Sequence, residues 1–293
     1  YVMVFDPALT NALREALPWA GPFFLAITEL GSETFYVALI LVGYWAFRKK
    51  ASIKVAYVLL ASVVSNYWLK LAIANPRPDP SNWLGDYEAS NYSTPSGHSQ
   101  NSATLFGWIA AKAKTWWMTI ISGVLIFLIG ISRVYIGVHY LGDVLLGWGV
   151  GILTVAILYL LEEPLSKHFE GMDSTLLYGL LFLFGLLATF LSSFLLPQPP
   201  GDNFGALGGL IMGLAIGIPL EQRYVGFDTA APKGQKWRVI LRVLIGLILV
   251  LGVMIGLSPI LVTENVFLRA VRYTLVVIIG SFVWPLIFRK IGI

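Results

Sequence analysis

The chain has no cysteine, which excludes disulfides, thiolate metal sites and a cysteine nucleophile while leaving the compartment open. Charge is scarce: 12% of residues are ionisable Asp, Glu, Lys or Arg, against 57% apolar, far from the composition of a soluble globular domain. Histidine is scarcer still, at three residues. The chain shows no low-complexity tract, no soluble domain and no convincing internal repeat. No basic start precedes an apolar core and a small-residue cleavage site, so a cleaved signal peptide is not expected. This composition describes an integral membrane protein.

Crossing about 30 Å of hydrocarbon takes roughly 17 to 25 helical residues. Apolar runs of that order recur near 32–47, 54–74, 99–113, 115–132, 140–161, 175–196, 203–220, 239–261 and 270–288. Lipid offers the backbone no hydrogen bonds, so helices and not open strands do the spanning. The expected fold is all-α, a polytopic transmembrane bundle of about nine spans. Three segments are expected. Residues 1–31, interrupted by Pro18 and Pro22 and carrying Arg14, Glu15 and Glu29, read as an interfacial or re-entrant stretch. Residues 32–173 form a catalytic transmembrane core, and 174–293 supply additional C-terminal helices. In that last segment Gly208-Gly209 and Gly213 permit close helix approach, for packing around the catalytic core, with a second lipid pathway or a homodimer contact as the alternatives. Trp45, Trp68, Trp116, Trp117 and Trp284 fall near span ends and read as interface anchors.

If the spans alternate, Arg48, Lys49, Lys50, Lys54, Lys112, Lys114, Lys167, Arg223, Lys233, Lys236, Arg238, Arg242, Arg289 and Lys290 share one side. The positive-inside rule makes that side the cytoplasm. Arg14, Lys70, Arg77, Arg133, Arg269 and Arg272 are left on the other. The C-terminus is then cytoplasmic, and the polar connection at 75–98 is extracytoplasmic. The loop from Glu221 to Arg238, with Pro232-Lys233-Gly234, reads as an ordinary cytoplasmic connection.

Three clusters carry chemistry. Lys70 lies near the end of a span, and Arg77-Pro78 follows after Asn75-Pro76 has ended the helix. An ammonium and a forked guanidinium at one membrane edge suit phosphate oxygens, although snorkelling cations would look the same. Pro95-Ser96-Gly97-His98 precedes an apolar helix whose first N–H groups lack intrahelical partners. Such a start is an anion site, with His98 placed to give a proton to a leaving oxygen. The plainer reading is a Ser96 N-cap beside an interfacial histidine. After Ser132-Arg133 come His139 and Asp143, four apart at a span start and so on one helical face. The carboxylate can hold one ring nitrogen protonated and leave the other free to attack phosphorus. A structural His-Asp bond is the competing account, weakened because ionisable groups at membrane depth are functional by default. His168 is read as a solvated residue of the cytoplasmic loop 162–173.

Lys70-x6-Arg77-Pro78, Pro95-Ser96-Gly97-His98 and Ser132-Arg133-x5-His139-x3-Asp143 resemble, in order and completely, the three signature motifs of the type 2 phosphatidic acid phosphatase superfamily. That resemblance covers Lys70 to Asp143. It implies metal-independent phosphomonoester or pyrophosphate hydrolysis through a phosphohistidine, with no cofactor. His139 is then the nucleophile, Asp143 its partner, and His98 the acid and later the base. Lys70, Arg77, Arg133, Ser96 and the Gly97 amide hold the phosphoryl oxygens and stabilise charge in the transition state. The segment Glu29-Leu30-Gly31-Ser32-Glu33 with Phe35-Tyr36 is similar to the first span of the sphingosine-1-phosphate phosphatase branch. One span ahead of the Lys70 helix resembles the glucose-6-phosphatase and sphingosine phosphate phosphatase topology.

The expected partners are therefore the bilayer and a membrane lipid phosphate or polyprenyl (di)phosphate, and no nucleic acid. A soluble sugar phosphate is the nearest alternative. A vanadate haloperoxidase and a lipid-binding or lipid-translocating protein that retains the pocket are further ones. Asp79, Asp86 and Glu88 are read as solvated loop carboxylates in preference to a cation site. Glu29 and Glu33 read as gating groups for a headgroup or as helix-end carboxylates.

Overall fold

The computed structural model describes residues 4–85, 91–199, 202–230, 235–261 and 264–293. The expectations placed on Asp86, Glu88 and Pro232-Lys233-Gly234 lie outside the described residues. The elements are α1 (Ala8–Ala16), α2 (Gly21–Glu29), α3 (Glu33–Ala46), α4 (Lys49–Ile73), α5 (Gly97–Ala113), α6 (Trp116–Ile136), α7 (Leu141–His168), α8 (Ser174–Phe194), α9 (Gly205–Tyr224), α10 (Lys236–Gly256), α11 (Val266–Ile278) and α12 (Trp284–Ile291). A π turn, Ile279–Val283, joins α11 to α12, and a 3-10 turn, Pro80–Asn82, interrupts the connection after α4. No strand occurs among the described residues.

Each of the nine expected spans falls on a helix. Seven helices are long and apolar enough to cross a bilayer, namely α4, α6, α7, α8, α9, α10 and the run Val266–Ile291. The pair α2 and α3, bent by 49° at its break, makes an eighth when taken as one span. The count falls short of nine at α3, with 14 residues, and at α5, with 17. In α5, Ser99, Gln100, Ser102 and Thr104 are all buried. Gln100 Nε2 donates to the Ser62 carbonyl at 2.8 Å, Asn66 Nδ2 to Gln100 Oε1 at 2.9 Å, and Thr104 Oγ1 bonds Ser62 Oγ at 3.0 Å. Such a helix is held by polar bonds to its neighbours, so its sequence need not be as apolar as a lipid-facing span.

The chain divides into two compact units. The first comprises 1–36, 57–168 and 199–201. Here α5 packs on both α6 and α7, and α1 and α2 pack on α6. Gly147 lets α7 close on the start of α5, since a Cβ there would fall 2.8 Å from the Ser96 carbonyl oxygen. Arg14 donates to the carbonyls of Tyr135, Ile136 and Asn82 at 2.8 to 2.9 Å. It thereby satisfies acceptors that the end of α6 leaves over. Gly137 then takes the left-handed conformation, φ +87°, that turns the chain toward α7.

The second unit comprises 37–56, 169–198 and 202–293. Its centre is α9, which packs on α8 and α11. The small residues anticipated as a close-approach face are used there: Gly208 lies against Thr189 of α8, and a Cβ on Gly213 would fall 3.0 Å from the Thr274 carbonyl oxygen of α11. The same unit corrects two anchors. Trp45 and Trp284 are buried, not interfacial. Their indole N–H groups donate to the Gly280 carbonyl at 2.9 Å and the Arg242 carbonyl at 3.0 Å, so each ring packs inside with its polar atom satisfied. Trp116 and Trp117 are exposed, as an anchor should be. His168 also differs from expectation, because α7 continues through Pro164 and ends at this residue. The Glu163 and Lys167 ion pair, 2.6 Å, spans one turn of that continuation. Glu29 closes α2 and Glu33 opens α3, so the bend separates the two carboxylates.

Candidate active site

All the residues expected to hold phosphate or to react lie in the first unit. Lys70 is in the last turn of α4 and is buried, with its ammonium on the carbonyls of Tyr92 and, at 3.4 Å, Ser93. Arg77 lies just beyond that helix. Its Nε donates to the Asn91 carbonyl at 2.7 Å and its Nη2 to Asn91 Oδ1 at 2.6 Å. Its Nη1 donates to the Val138 carbonyl at 3.0 Å and meets His139 Nε2 at 3.1 Å. The first and third clusters are therefore in direct contact.

That contact assigns the tautomer of His139. A guanidinium has only donors, so Nε2 must accept and the ring proton sits on Nδ1. Nδ1 lies 3.2 Å from Asp143 Oδ2 and 3.1 Å from Ser93 Oγ. The pairing does not arise from a shared helical face, as the spacing suggested. His139 precedes α7, in the turn after Gly137, and Asp143 reaches back from the first helical turn to accept the Tyr140 amide at 2.9 Å. Ser93 and Thr94 donate their hydroxyls to Oδ2 and Oδ1 of the same carboxylate. Asp143 is fully buried and met by donors on both oxygens, which holds it as an oriented anion. Burial, together with Arg77, Lys70 and Arg133, pushes His139 well below the ordinary imidazole range, so the ring is neutral at neutral pH. Burial and Arg133 lower Arg77 to about 10, which leaves it protonated there as well.

The second cluster is tied to the third through the backbone, since the Ser96 amide donates to the Asp143 carbonyl at 3.0 Å. Ser96 is the N-cap of α5. Its hydroxyl accepts from the Ser99 amide at 3.4 Å and from Ser99 Oγ at 3.1 Å, and it is buried. A hydroxyl that accepts in this way retains one proton to give. With Ser99 N–H on the cap and Gln100 N–H on the Ser96 carbonyl, the amides of Gly97 and His98 are those a bound anion would meet. His98, in the first turn of α5, lies within electrostatic reach of Arg133, His139, Arg77 and Lys70. Arg133 is buried near the end of α6, and its Nη1 donates to Thr28 Oγ1 at 2.7 Å.

Reading by motif misses several of these partners. Asn91, Ser93 and Thr94 clamp Arg77 and Asp143, and their signal is a run of hydrogen-bonding residues just ahead of Pro95. Thr28 has no local signal, because it meets Arg133 across 105 residues of chain. Asp79, in the same connection, caps the 3-10 turn by accepting the Ser81 amide at 2.8 Å.

Two family models match the chain: "PAP2 superfamily" over residues 51–166 and "PAP2 superfamily phosphatase, transmembrane extension" over residues 205–293. Phosphatidylglycerophosphatase B of Bacillus subtilis (strain 168) is 33% identical over 179 residues, which make up 55% of this chain and 85% of that protein. Sphingosine-1-phosphate phosphatase 1 of Rattus norvegicus is 28% identical over 248 residues, 77% of this chain but 57% of that relative. Lipid phosphate phosphatase delta of Arabidopsis thaliana is 21% identical and is matched over 54% of its length, so the chain spans little more than half of these two proteins. Among solved structures, the first transmembrane PAP2 type phosphatidylglycerolphosphate phosphatase from Bacillus subtilis is 30% identical, covering 54% of this chain and 86% of that one, with a TM-score of 0.45.

Proposed function

From the premise that this chain belongs to the PAP2 superfamily of membrane phosphatases, we propose that it hydrolyses a lipid phosphate or polyprenyl (di)phosphate through a phosphohistidine, without a metal, at the extracytoplasmic face. The observation that carries this reading is the state of His139: neutral, with Nδ1 turned to Asp143 and an unprotonated Nε2 held beside Arg77. That lone pair accepts from Arg77, so attack on phosphorus requires the guanidinium to turn from Nε2 to a phosphoryl oxygen.

In the proposed reaction Nε2 attacks phosphorus in line with the ester oxygen, the P–O bond breaks, and His98 gives its proton to the departing alkoxide. His98 then takes a proton from water, the resulting hydroxide attacks the phosphohistidine, and inorganic phosphate leaves as the N–P bond breaks. Lys70, Arg77 and Arg133, with the amides at the start of α5, supply the positive charge that a metal provides in other phosphoryl-transfer sites. Lipid phosphate is favoured as substrate because the relatives are named for such compounds and because a phosphate on a lipid headgroup arrives at a membrane edge without leaving its leaflet. The excess of basic residues on the opposite side of the spans supports an extracytoplasmic site.

The test is phosphate release by the purified protein in detergent with excess chelator, from phosphatidylglycerol phosphate, phosphatidic acid, sphingosine 1-phosphate, undecaprenyl diphosphate and glucose 6-phosphate. Release from the lipids should persist under chelation and fall about 10⁴-fold or more in His139→Ala. Release that the variant retains, or that chelator removes, would overturn the mechanism, and preference for glucose 6-phosphate would overturn the substrate class.

A further inference from the structure

Tyr36 is 3% exposed, and its hydroxyl has no hydrogen-bond partner among the described residues. A buried hydroxyl left in that condition costs stability, so it calls for a function. It follows directly on the bend between α2 and α3, whose residues touch Arg133 and His98. That bend forms one wall of the phosphate pocket: Thr28 holds Arg133, and Gly31 lies against the His98 ring. A Cβ on Gly31 would fall 2.9 Å from His98 Cδ2 and 2.7 Å from Ile129 Cγ2, so only glycine allows the approach.

Tyr36 stands in the first turn of α3, directly after this bend, with its amide bonded to the Ser32 carbonyl at 3.2 Å. Long side chains on a helix point back toward its N-terminus. The phenol therefore extends toward the layer that contains Gly31 and Thr28, and Arg133 lies within electrostatic reach of it.

We propose that the Tyr36 hydroxyl donates a hydrogen bond to an oxygen of the bound phosphoryl group, so that the segment ahead of the three signature clusters supplies a further substrate contact. The unpartnered donor is then satisfied by the ligand, on the side of the pocket shared with Arg133 and His98. This rests on the reading of the pocket as a phosphoryl site.

The probe is orthovanadate, titrated calorimetrically into the wild type and Tyr36→Phe in detergent, with the thermal midpoint of each protein measured alongside and kcat/KM measured where a substrate is turned over. Loss of the hydroxyl should weaken vanadate binding roughly tenfold and lower kcat/KM to a similar extent, a scale set by one hydrogen bond to a charged group. The thermal midpoint should stay level or rise, because an unpartnered buried hydroxyl has been removed. Unchanged vanadate affinity would overturn the proposal. So would a Tyr36→Phe protein that loses its fold, because a hydroxyl needed for packing must have a partner in the protein. Failure of the phosphatase reading is seen separately, as wild-type protein that binds vanadate but releases no phosphate from any substrate. The binding comparison still decides the role of Tyr36 in that case.

Discussion

Both compact units bury ionised side chains, and they balance them in opposite ways. In the second unit Glu221 is fully buried and Lys49 meets both of its oxygens at 2.6 Å, with the Phe227 amide at 3.1 Å and the Tyr44 hydroxyl at 3.3 Å completing its bonds. Arg242 there is turned onto the carbonyls of Trp45, Asp228 and Ile293. The Glu221 charge is thus matched locally by its own cation. In the first unit Lys70, Arg77 and Arg133 act together on His139, while Asp143 is the buried carboxylate among them. An excess of positive charge held out of water is expensive unless an anion arrives.

The largest effect that could sharpen this contrast is expected from Asp143→Asn. An amide cannot accept from the Ser93 and Thr94 hydroxyls, the Tyr140 amide and His139 at once, and it releases the Nδ1 tautomer. Turnover should fall about 10⁴-fold. Single-turnover phosphate release is the measurement, and a loss under tenfold would break the assignment of Asp143 as the orienting group.

A smaller but wholly different effect is expected in the other unit. Lys49→Met leaves the Glu221 carboxylate buried without its cation and should cost about 3–5 kcal/mol of stability, with kcat of the folded fraction unchanged. Adding Glu221→Gln to it should recover part of that loss. Denaturant titration and turnover of the same samples check both points, and a selective loss of kcat would make the second unit part of the chemistry.

The mildest effect concerns pH. The native pKa of His139 lies below its unfolded value near 6.5. As pH falls from about 6.5 the unfolded chain takes up this proton first, so stability declines below that point. Protonation also removes the Nε2 lone pair, which puts the acid limb of kcat/KM below about 6.5 as well. An acid limb centred above about 7, in a profile limited by chemistry, would contradict a nucleophile held neutral by its cations.

Spacing in the chain sufficed for the helices and for picking out the groups that the structure brings together in the first unit. The nine apolar runs all became helices, because lipid leaves the backbone no other way to satisfy itself. Lys70, Arg77, His98, Arg133, His139 and Asp143 stand out because charge and imidazole are rare against an apolar background. The exceptions are instructive. Trp45 and Trp284 carry the same local signal as the exposed Trp116, a tryptophan near a helix end, yet find carbonyls inside the second unit. His139 and Asp143 meet as their spacing suggests, but across a turn and a helix start and not along one helical face.

The sequence by itself determined a membrane-spanning all-helical chain and the residue types of a phosphate chemistry, since hydrophobic length and short motifs are local properties. Tertiary structure alone decided which nitrogen of His139 faces Arg77, that Ser93 and Thr94 hold Asp143, and that Thr28 meets Arg133. A hydrogen-bond partner is chosen by distance in space, and residues a hundred apart in the chain carry no mark of it until the helices have packed.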